Sequence, residues 1–177
     1  MSNRLVPSAE AHVIDTNLFI EFERNDAIPL LKRAAGDYDV VFLLPQRVYE
    51  ELTPDNLPYS TPPVDTAIKD GWVCVLDELE YANPVVSATM DTVRRYIAVT
   101  DDRPEHEIEQ ADAEVGGAAA QLLERGDAQS VAVYTSDVAA FRGIERALTN
   151  HGHDGRTKLV VAHDFFEEVQ ARYEFAE

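Results

Sequence analysis

Short apolar runs alternate with amphipathic stretches along the chain, and this alternation predicts the fold. Five runs are short and rich in β-branched residues, which is typical of strands. These predicted strands are Ala11–Asp15, Val40–Leu44, Trp72–Leu76, Val131–Tyr134 and Leu159–Val161. Several are almost wholly apolar, as expected of strands that are covered on both faces of a parallel sheet.

Between these runs, apolar residues recur at three- and four-residue steps, which is the period of an amphipathic helix. The clearest example begins near Ile108 and ends at Gly126. Other helices are predicted from Leu18 to a stop at Gly36 (with a break near Asn25), and over 45–52, 64–69, 85–97, 137–148 and 164–173. Alternating strands and helices predict an α/β fold, a three-layer α/β/α sandwich with a mostly parallel central sheet.

Length and composition narrow the class of protein. The 177 residues, 45% of them hydrophobic, suit a single domain over residues 1–177 with a sizeable core. No apolar run of about 18 residues is present, so no membrane contact is expected. The first residues lack the pattern of a secretory signal. Cys74 cannot form an internal disulfide and is predicted to be a buried thiol, so a cytoplasmic location is expected.

The charge of the chain is unusual. Asp and Glu number 33 against 15 Lys and Arg, which gives a net charge of −18, and only Lys32, Lys69 and Lys158 are lysines. A well-patterned but acidic, lysine-poor sequence is typical of adaptation to a cytoplasm rich in salt, where repulsion between charges is screened within a few ångströms. An acidic surface also disfavours ordinary salt-dependent binding of nucleic acid.

Two acids directly follow predicted strands. Asp15 ends the first strand, and Asp137 comes shortly after the run at Val131–Tyr134. In open parallel sheets, ligands bind outside the carboxyl ends of the strands, so both acids fall at the edge where a site is expected. The alternative is that each aspartate is an N-cap of the helix that follows.

Two further acids fall on predicted helices. Glu51 lies three residues after Val48, and Asp112 lies four after Ile108, so both border an apolar stripe. A carboxylate beside the core is unfavourable unless it is paired or bound to a cation. The alternative is that both are ordinary solvated acids, since seven acids occur between Asp101 and Glu114.

Four short motifs together resemble the PIN domain family of metal-dependent ribonucleases, which includes VapC-type toxins. The motifs are Val13-Ile14-Asp15-Thr16-Asn17, Val48-Tyr49-Glu50-Glu51-Leu52, Ala111-Asp112-Ala113 and Tyr134-Thr135-Ser136-Asp137. Each is weak alone, but their order and approximate spacing match the family over most of the chain. Additional sequence at about 53–100 departs from a typical VapC toxin, and so does the acidic segment 101–107.

The resemblance implies an acidic pocket that holds Mg²⁺ or Mn²⁺, with Asp15, Glu51, Asp112 and Asp137 as ligands and catalytic acids. Asn17 and Thr135 match small polar positions that orient the acids. The implied activity is metal-dependent endoribonuclease cleavage of RNA. A member of the toxin group would also bind a small antitoxin protein. The resemblance leaves open whether the chain forms a homodimer.

Two arginines are candidates for contacts to RNA phosphates. Arg142 and Arg146 are four residues apart on one predicted helix, so they share a face. The alternative is that they are ordinary surface residues.

Two other functions are open at this point. One is a catalytically silent PIN-like interaction module in RNA processing, which would use the extra sequence at 53–100. The other is a receiver-like phosphoacceptor domain, which is disfavoured because Asp15 has no adjacent acid and Lys158 begins its strand.

Overall fold

The computed structural model describes residues 4–58 and 61–174. Five strands lie in these ranges: β1 (Ala11–Ile14), β2 (Phe42–Leu44), β3 (Val73–Val75), β4 (Val131–Thr135) and β5 (Thr157–Val161). The helices there are α1 (Thr16–Arg24), α2 (Ile28–Tyr38), α3 (Gln46–Leu52), α4 (Pro63–Lys69), α5 (Pro84–Asp101), α6 (Gln110–Glu124), α7 (Val138–Asn150) and α8 (Ala162–Glu174), with a 3-10 turn at Glu105–Glu107.

The strands form one sheet in the order β3-β2-β1-β4-β5, and every pairing between the described strands is parallel. The chain builds outward from β1 through β2 to β3, and then returns to the other side of β1 to add β4 and β5. The direction of winding therefore reverses between β1 and β4. Parallel sheets bind ligands in the crevice at this kind of reversal, beyond the carboxyl ends of the strands.

The helices cover the sheet in two groups. Helices α1, α2 and α8 contact one another, and so do α5, α6 and α7. Phe165 of α8 packs edge-on against Tyr134 of β4, with ring centroids 5.1 Å apart. Strands β1 and β4 are buried along their whole length, because helices cover both of their faces. The predicted α/β sandwich is confirmed, and its sheet is parallel throughout the described strands.

Two predictions about helix ends were wrong. Gly36 lies inside α2, which continues to Tyr38 and ends at Asp39, whose φ of 52° is left-handed. Helix α5 continues to Asp101, four residues beyond its predicted end at residue 97. The segment 53–100 supplies α4, β3 and most of α5.

The prediction of a buried Cys74 was also wrong, because its thiol is exposed. Strand β3 is an edge strand of only three residues, so one of its faces is open to solvent. Among the described helices, none has the length and apolar character needed to cross a membrane.

Candidate active site at the carboxyl ends of the strands

Asp15 lies at the end of β1 and caps α1. Its Oδ1 accepts a hydrogen bond from the backbone N–H of Leu18 at 3.0 Å, and its side chain is buried. Burial raises the pKa of the Asp15 carboxyl, while hydrogen bonds from Thr135, Leu18 and Asn17 lower it and the charge of Asp137 raises it again. The capping alternative is therefore correct, but a carboxylate has capacity for further ligands beyond one cap bond.

Asp137 is placed beside Asp15 because β1 and β4 are neighbours in the sheet. Its Oδ1 accepts from the backbone N–H of Ala140 at 2.8 Å and so caps α7. Its own N–H donates to the Thr135 hydroxyl oxygen at 3.0 Å. The Thr135 side chain also lowers the pKa of the Asp15 carboxyl. The buried Thr135 therefore interacts with both strand-end acids.

Glu51 reaches the same region from α3, although its side chain is exposed. The Thr16 hydroxyl donates to Glu51 Oε2 at 2.5 Å, which joins the first turn of α1 to α3. Asn17 is exposed beside it. Its backbone N–H lowers the pKa of the Asp15 carboxyl.

Asp112 lies in the first turn of α6 and is half-buried. Burial raises its pKa to about 7, and the charges of Asp137, Glu109, Asp15 and Glu51 raise it in the same direction. An acid that responds to all four of these charges must lie among them. The structure thus brings together the four acids that the sequence predicted.

Three of the four acids, Asp15, Glu51 and Asp112, line an open cleft of about 420 Å³. It is lined by Asp15, Thr16, Asn17, Ile20, Glu51, Glu109, Ala111 and Asp112. Asp137 is not part of this lining and adjoins the cleft through Thr135 and its interaction with Asp112. The polar part of the lining is mostly carboxylate, and Ile20 and Ala111 add apolar surface.

A comparison with protein families decides what kind of domain this is. The model of the family described as "Halobacterial PIN domain" matches residues 8–174. The chain belongs to the halobacterial PIN domain family. PIN domains are generally nuclease-like, and a halobacterial family agrees with the strongly acidic composition. No curated protein and no solved structure matched the chain in the corresponding searches.

Two residues at this PIN-domain cleft were not singled out from the sequence. Thr16 donates a hydrogen bond to Glu51, and Glu109 is a fourth carboxylate in the lining, beside Asp15, Glu51 and Asp112. Thr16 stood inside the first motif, so its position was a signal that could have been used. Glu109 is one of several acids in a row, and nothing local separates it from its exposed neighbours.

The predicted arginines do not lie among the acids. Arg142 and Arg146 are on the exposed side of α7 and line a different cleft, of about 430 Å³. Helix α7 runs from Asp137 at the carboxyl end of the sheet back toward the start of β5, and it carries both arginines away from the acid cleft.

The fit of a divalent cation can be judged from the donor atoms of the PIN domain. Carboxylate and hydroxyl oxygens are the ligands that Mg²⁺ and Mn²⁺ prefer. In residues 4–58 and 61–174, however, no three Asp, Glu, His or Cys side chains form a group that could hold a metal ion as they stand. The donor set therefore fits a hydrated cation that has few direct protein ligands, and Mg²⁺ commonly binds in this way.

Proposed function

We propose that this PIN domain is an Mg²⁺- or Mn²⁺-dependent endoribonuclease. The observation that carries the proposal is that Asp15, Glu51 and Asp112 come from separate elements to line one cleft, which Asp137 adjoins. Carboxylates that close together repel one another and take up protons unless a cation offsets their charge. Burial, with added repulsion from the neighbouring acids, raises the pKa of Asp112 to about 7.

The residues of the chain have separable roles in this proposal. Asp15 and Asp137 would be the acids closest to the metal, since each leaves carboxylate capacity beyond its cap bond. Glu51 and Asp112 would act partly through water, and one carboxylate would accept the proton of the attacking water. A bound divalent cation supplies charge to offset the phosphate and activates water for in-line attack.

Substitution of Asp15 tests this proposal. Asn is as good an N-cap as Asp, so Asp15→Asn should keep the bond from Leu18 while it removes the charge. We expect it to abolish Mn²⁺-dependent cleavage of a panel of structured RNAs at high salt, without a lower melting temperature. Asp39→Asn is a matched control, because Asp39 ends α2 in a left-handed conformation that Asn also tolerates. Undiminished cleavage by Asp15→Asn would refute the proposal.

A catalytically silent PIN-like module in RNA processing is the second candidate. The observation that favours it is the lack of a preformed three-ligand metal group among the described residues. Calorimetric titration with Mn²⁺ at high salt separates the two functions. Binding that Asp15→Asn weakens supports the nuclease, whereas no binding together with no cleavage supports the silent module.

A toxin role with a small antitoxin partner is a further part of the proposal, and it is supported by the resemblance to VapC-type toxins alone. Such a partner would cover the acidic cleft and block access of RNA. Expression of the wild-type chain should then arrest growth, and Asp15→Asn should relieve the arrest. Unimpaired growth with the wild type would leave a processing nuclease as the favoured role.

A further inference from the structure

A groove runs along the surface between α5 and α7, outside the acid cleft. Its nearer part has a volume of about 350 Å³ and is lined by Arg95, Tyr96, Val99, Thr100, Ala139 and Arg142. Its farther part is the cleft of about 430 Å³ that contains Arg146 and Thr149. Tyr96 and Arg142 line both parts, so the two form one continuous depression, which we call the α5–α7 groove.

The α7 side of the groove is a single helix face that starts beside the acids. Ala139, Arg142, Arg146 and Thr149 are spaced by three, four and three residues, which places them in one row. The helix is capped by Asp137, so the row begins within one turn of that acid. At 1.5 Å per residue, Arg146 lies roughly 14 Å along the axis from Asp137.

The two arginines of this row are free cations in a very acidic protein. Neither Arg142 nor Arg146 forms an ion pair or hydrogen bond with any described residue, whereas Arg47 and Arg125 each pair with a carboxylate. Acids also border the farther part, yet they leave both guanidinium groups unpaired. A guanidinium presents five N–H donors in a planar fork that matches two oxygens of a phosphate.

The groove also offers an aromatic ring and apolar surface. Tyr96 is half-buried between the two parts, and Arg95 beside it is exposed and forms only a long ion pair of 3.8 Å with Glu105. Val99, which lines the nearer part, is 83% exposed. Aromatic rings stack on unpaired bases of any sequence, and apolar side chains support such stacking.

We propose that the α5–α7 groove binds single-stranded RNA on one side of the cleaved phosphodiester. This inference rests on the proposed nuclease function, because α7 begins at Asp137 and RNA bound along its arginine face would lead to the acids. Arg142 and Arg146 bind successive backbone phosphates, and Tyr96 stacks on a base. RNA is the occupant because the guanidinium groups on α7 match its charge and the Tyr96 ring on α5, across the groove, matches its bases. Directed hydrogen bonds and stacking matter here because high salt removes most of the gain from counterion release.

RNA affinity can be measured in the presence of a chelator, which prevents metal-dependent cleavage. This measurement tests the groove separately from the reaction. The probe is a fluorescently labelled oligouridine of about ten nucleotides, and its binding is measured by fluorescence anisotropy at high salt. We expect the double variant Arg142→Gln/Arg146→Gln to bind about tenfold more weakly or worse. The control is Arg24→Gln/Lys69→Gln, which removes the same charge from two residues that lie off the groove and form no ion pair within residues 4–58 and 61–174. This control should change the affinity less than about twofold.

Cleavage kinetics give a second readout that separates this inference from the proposed function. In the double variant, KM should rise for long RNA, while cleavage of a substrate that fills only the acid cleft is unchanged. Tyr96→Leu should raise KM in the same way. If the wild type cleaves RNA and the double variant has the same KM and affinity, the groove inference fails while the nuclease proposal stands. If the wild type binds RNA through the groove arginines without cleaving it, the nuclease proposal fails instead.

Three results would overturn the inference directly. One is equal weakening by the groove variant and the Arg24/Lys69 control, which would mean that only net charge matters. Another is no RNA binding by the wild type. The third is sedimentation that shows a dimer which Arg142→Gln/Arg146→Gln converts to monomer, with unchanged RNA affinity, because the occupant would then be a second copy of the chain.

Discussion

Glu114 on α6 accepts a hydrogen bond from the backbone N–H of Arg47 in the first turn of α3, at 3.2 Å. The N-cap position of α3 is Pro45, which provides no side-chain cap, so the buried Glu114 carboxylate stabilises that helix end from a neighbouring element. Its other oxygen accepts from the Tyr81 hydroxyl at 3.0 Å. This contact ties the helix that carries Asp112 to the helix that carries Glu51.

Glu114→Ala should therefore weaken both the fold and the site. Loss of the acceptor leaves a backbone donor of α3 unsatisfied, which should lower the free energy of unfolding by about 1–3 kcal/mol. Cleavage should fall as well, because Glu51 and Asp112 lose their common anchor. Urea titration and initial rates at high salt measure the two effects. Glu107 is an exposed acid of the 3-10 turn, so the control Glu107→Ala should change neither the stability nor the rate. Glu114→Gln should have effects between those of the wild type and Glu114→Ala.

Thr135→Val should shift the pH dependence of cleavage. The Thr135 hydroxyl lowers the pKa of Asp15 and accepts the N–H of Asp137, and Val removes both bonds at similar volume. The pKa of Asp15 should rise further, so the acidic limb of the rate profile should move to higher pH. Thr135→Ser keeps a hydroxyl and should restore the wild-type profile. If Thr135→Val leaves the pH–rate profile unchanged, Thr135 has only a packing role.

The stability of the metal-free protein should depend on Asp112. Its pKa is about 7 when folded, against an ordinary value of 3.8, so between these pH values the folded state holds a proton that the unfolded chain has lost. The stability contributed by this proton is complete below the lower value and is lost as pH rises through the higher one. The slope is at most about 1.4 kcal/mol per pH unit.

Denaturant titrations between these pH values, in a chelating buffer at high salt, measure this dependence. The slope of the free energy of unfolding against pH should be flatter in Asp112→Asn, because the coupled proton is gone. Asp39→Asn serves as the control and should keep the wild-type slope. Identical slopes for wild type and Asp112→Asn would contradict the account.

Two glycine substitutions should have opposite effects on stability. A Cβ at Gly143 of α7 would lie 2.9 Å from Val93 Cα and 3.3 Å from Thr92 O, both backbone atoms of α5. Gly143→Ala should therefore destabilise the protein by about 1–3 kcal/mol, because the two helices must separate. A Cβ at Gly36 of α2 would meet no atom within 4 Å, so Gly36→Ala should stabilise the protein by up to about 1 kcal/mol. Thermal melts at fixed salt compare the two variants.

The sequence alone determined which residues form strands and helices and where the four acids stand relative to them. An apolar run that ends in an acid, as at Val13-Ile14-Asp15, is a local pattern, and local patterns are enough to place an acid at a strand end. Burial by helices on both faces explains why the β1 and β4 runs lack alternation. The same local rules failed at Cys74, because an edge position is a property of the sheet and not of the strand.

Only the tertiary structure decided which of these residues meet. Asp15 and Asp137 are 122 positions apart in the chain, and they become neighbours because β4 returns to pair with β1. The partners Thr16–Glu51 and Arg47–Glu114 also join distant elements. Glu109 and Asp112 line the cleft, whereas Glu105 and Glu107 do not. Patterns of hydrophobicity fix what each segment becomes, but strand order and helix packing depend on the whole core, and these set the distances on which chemistry depends.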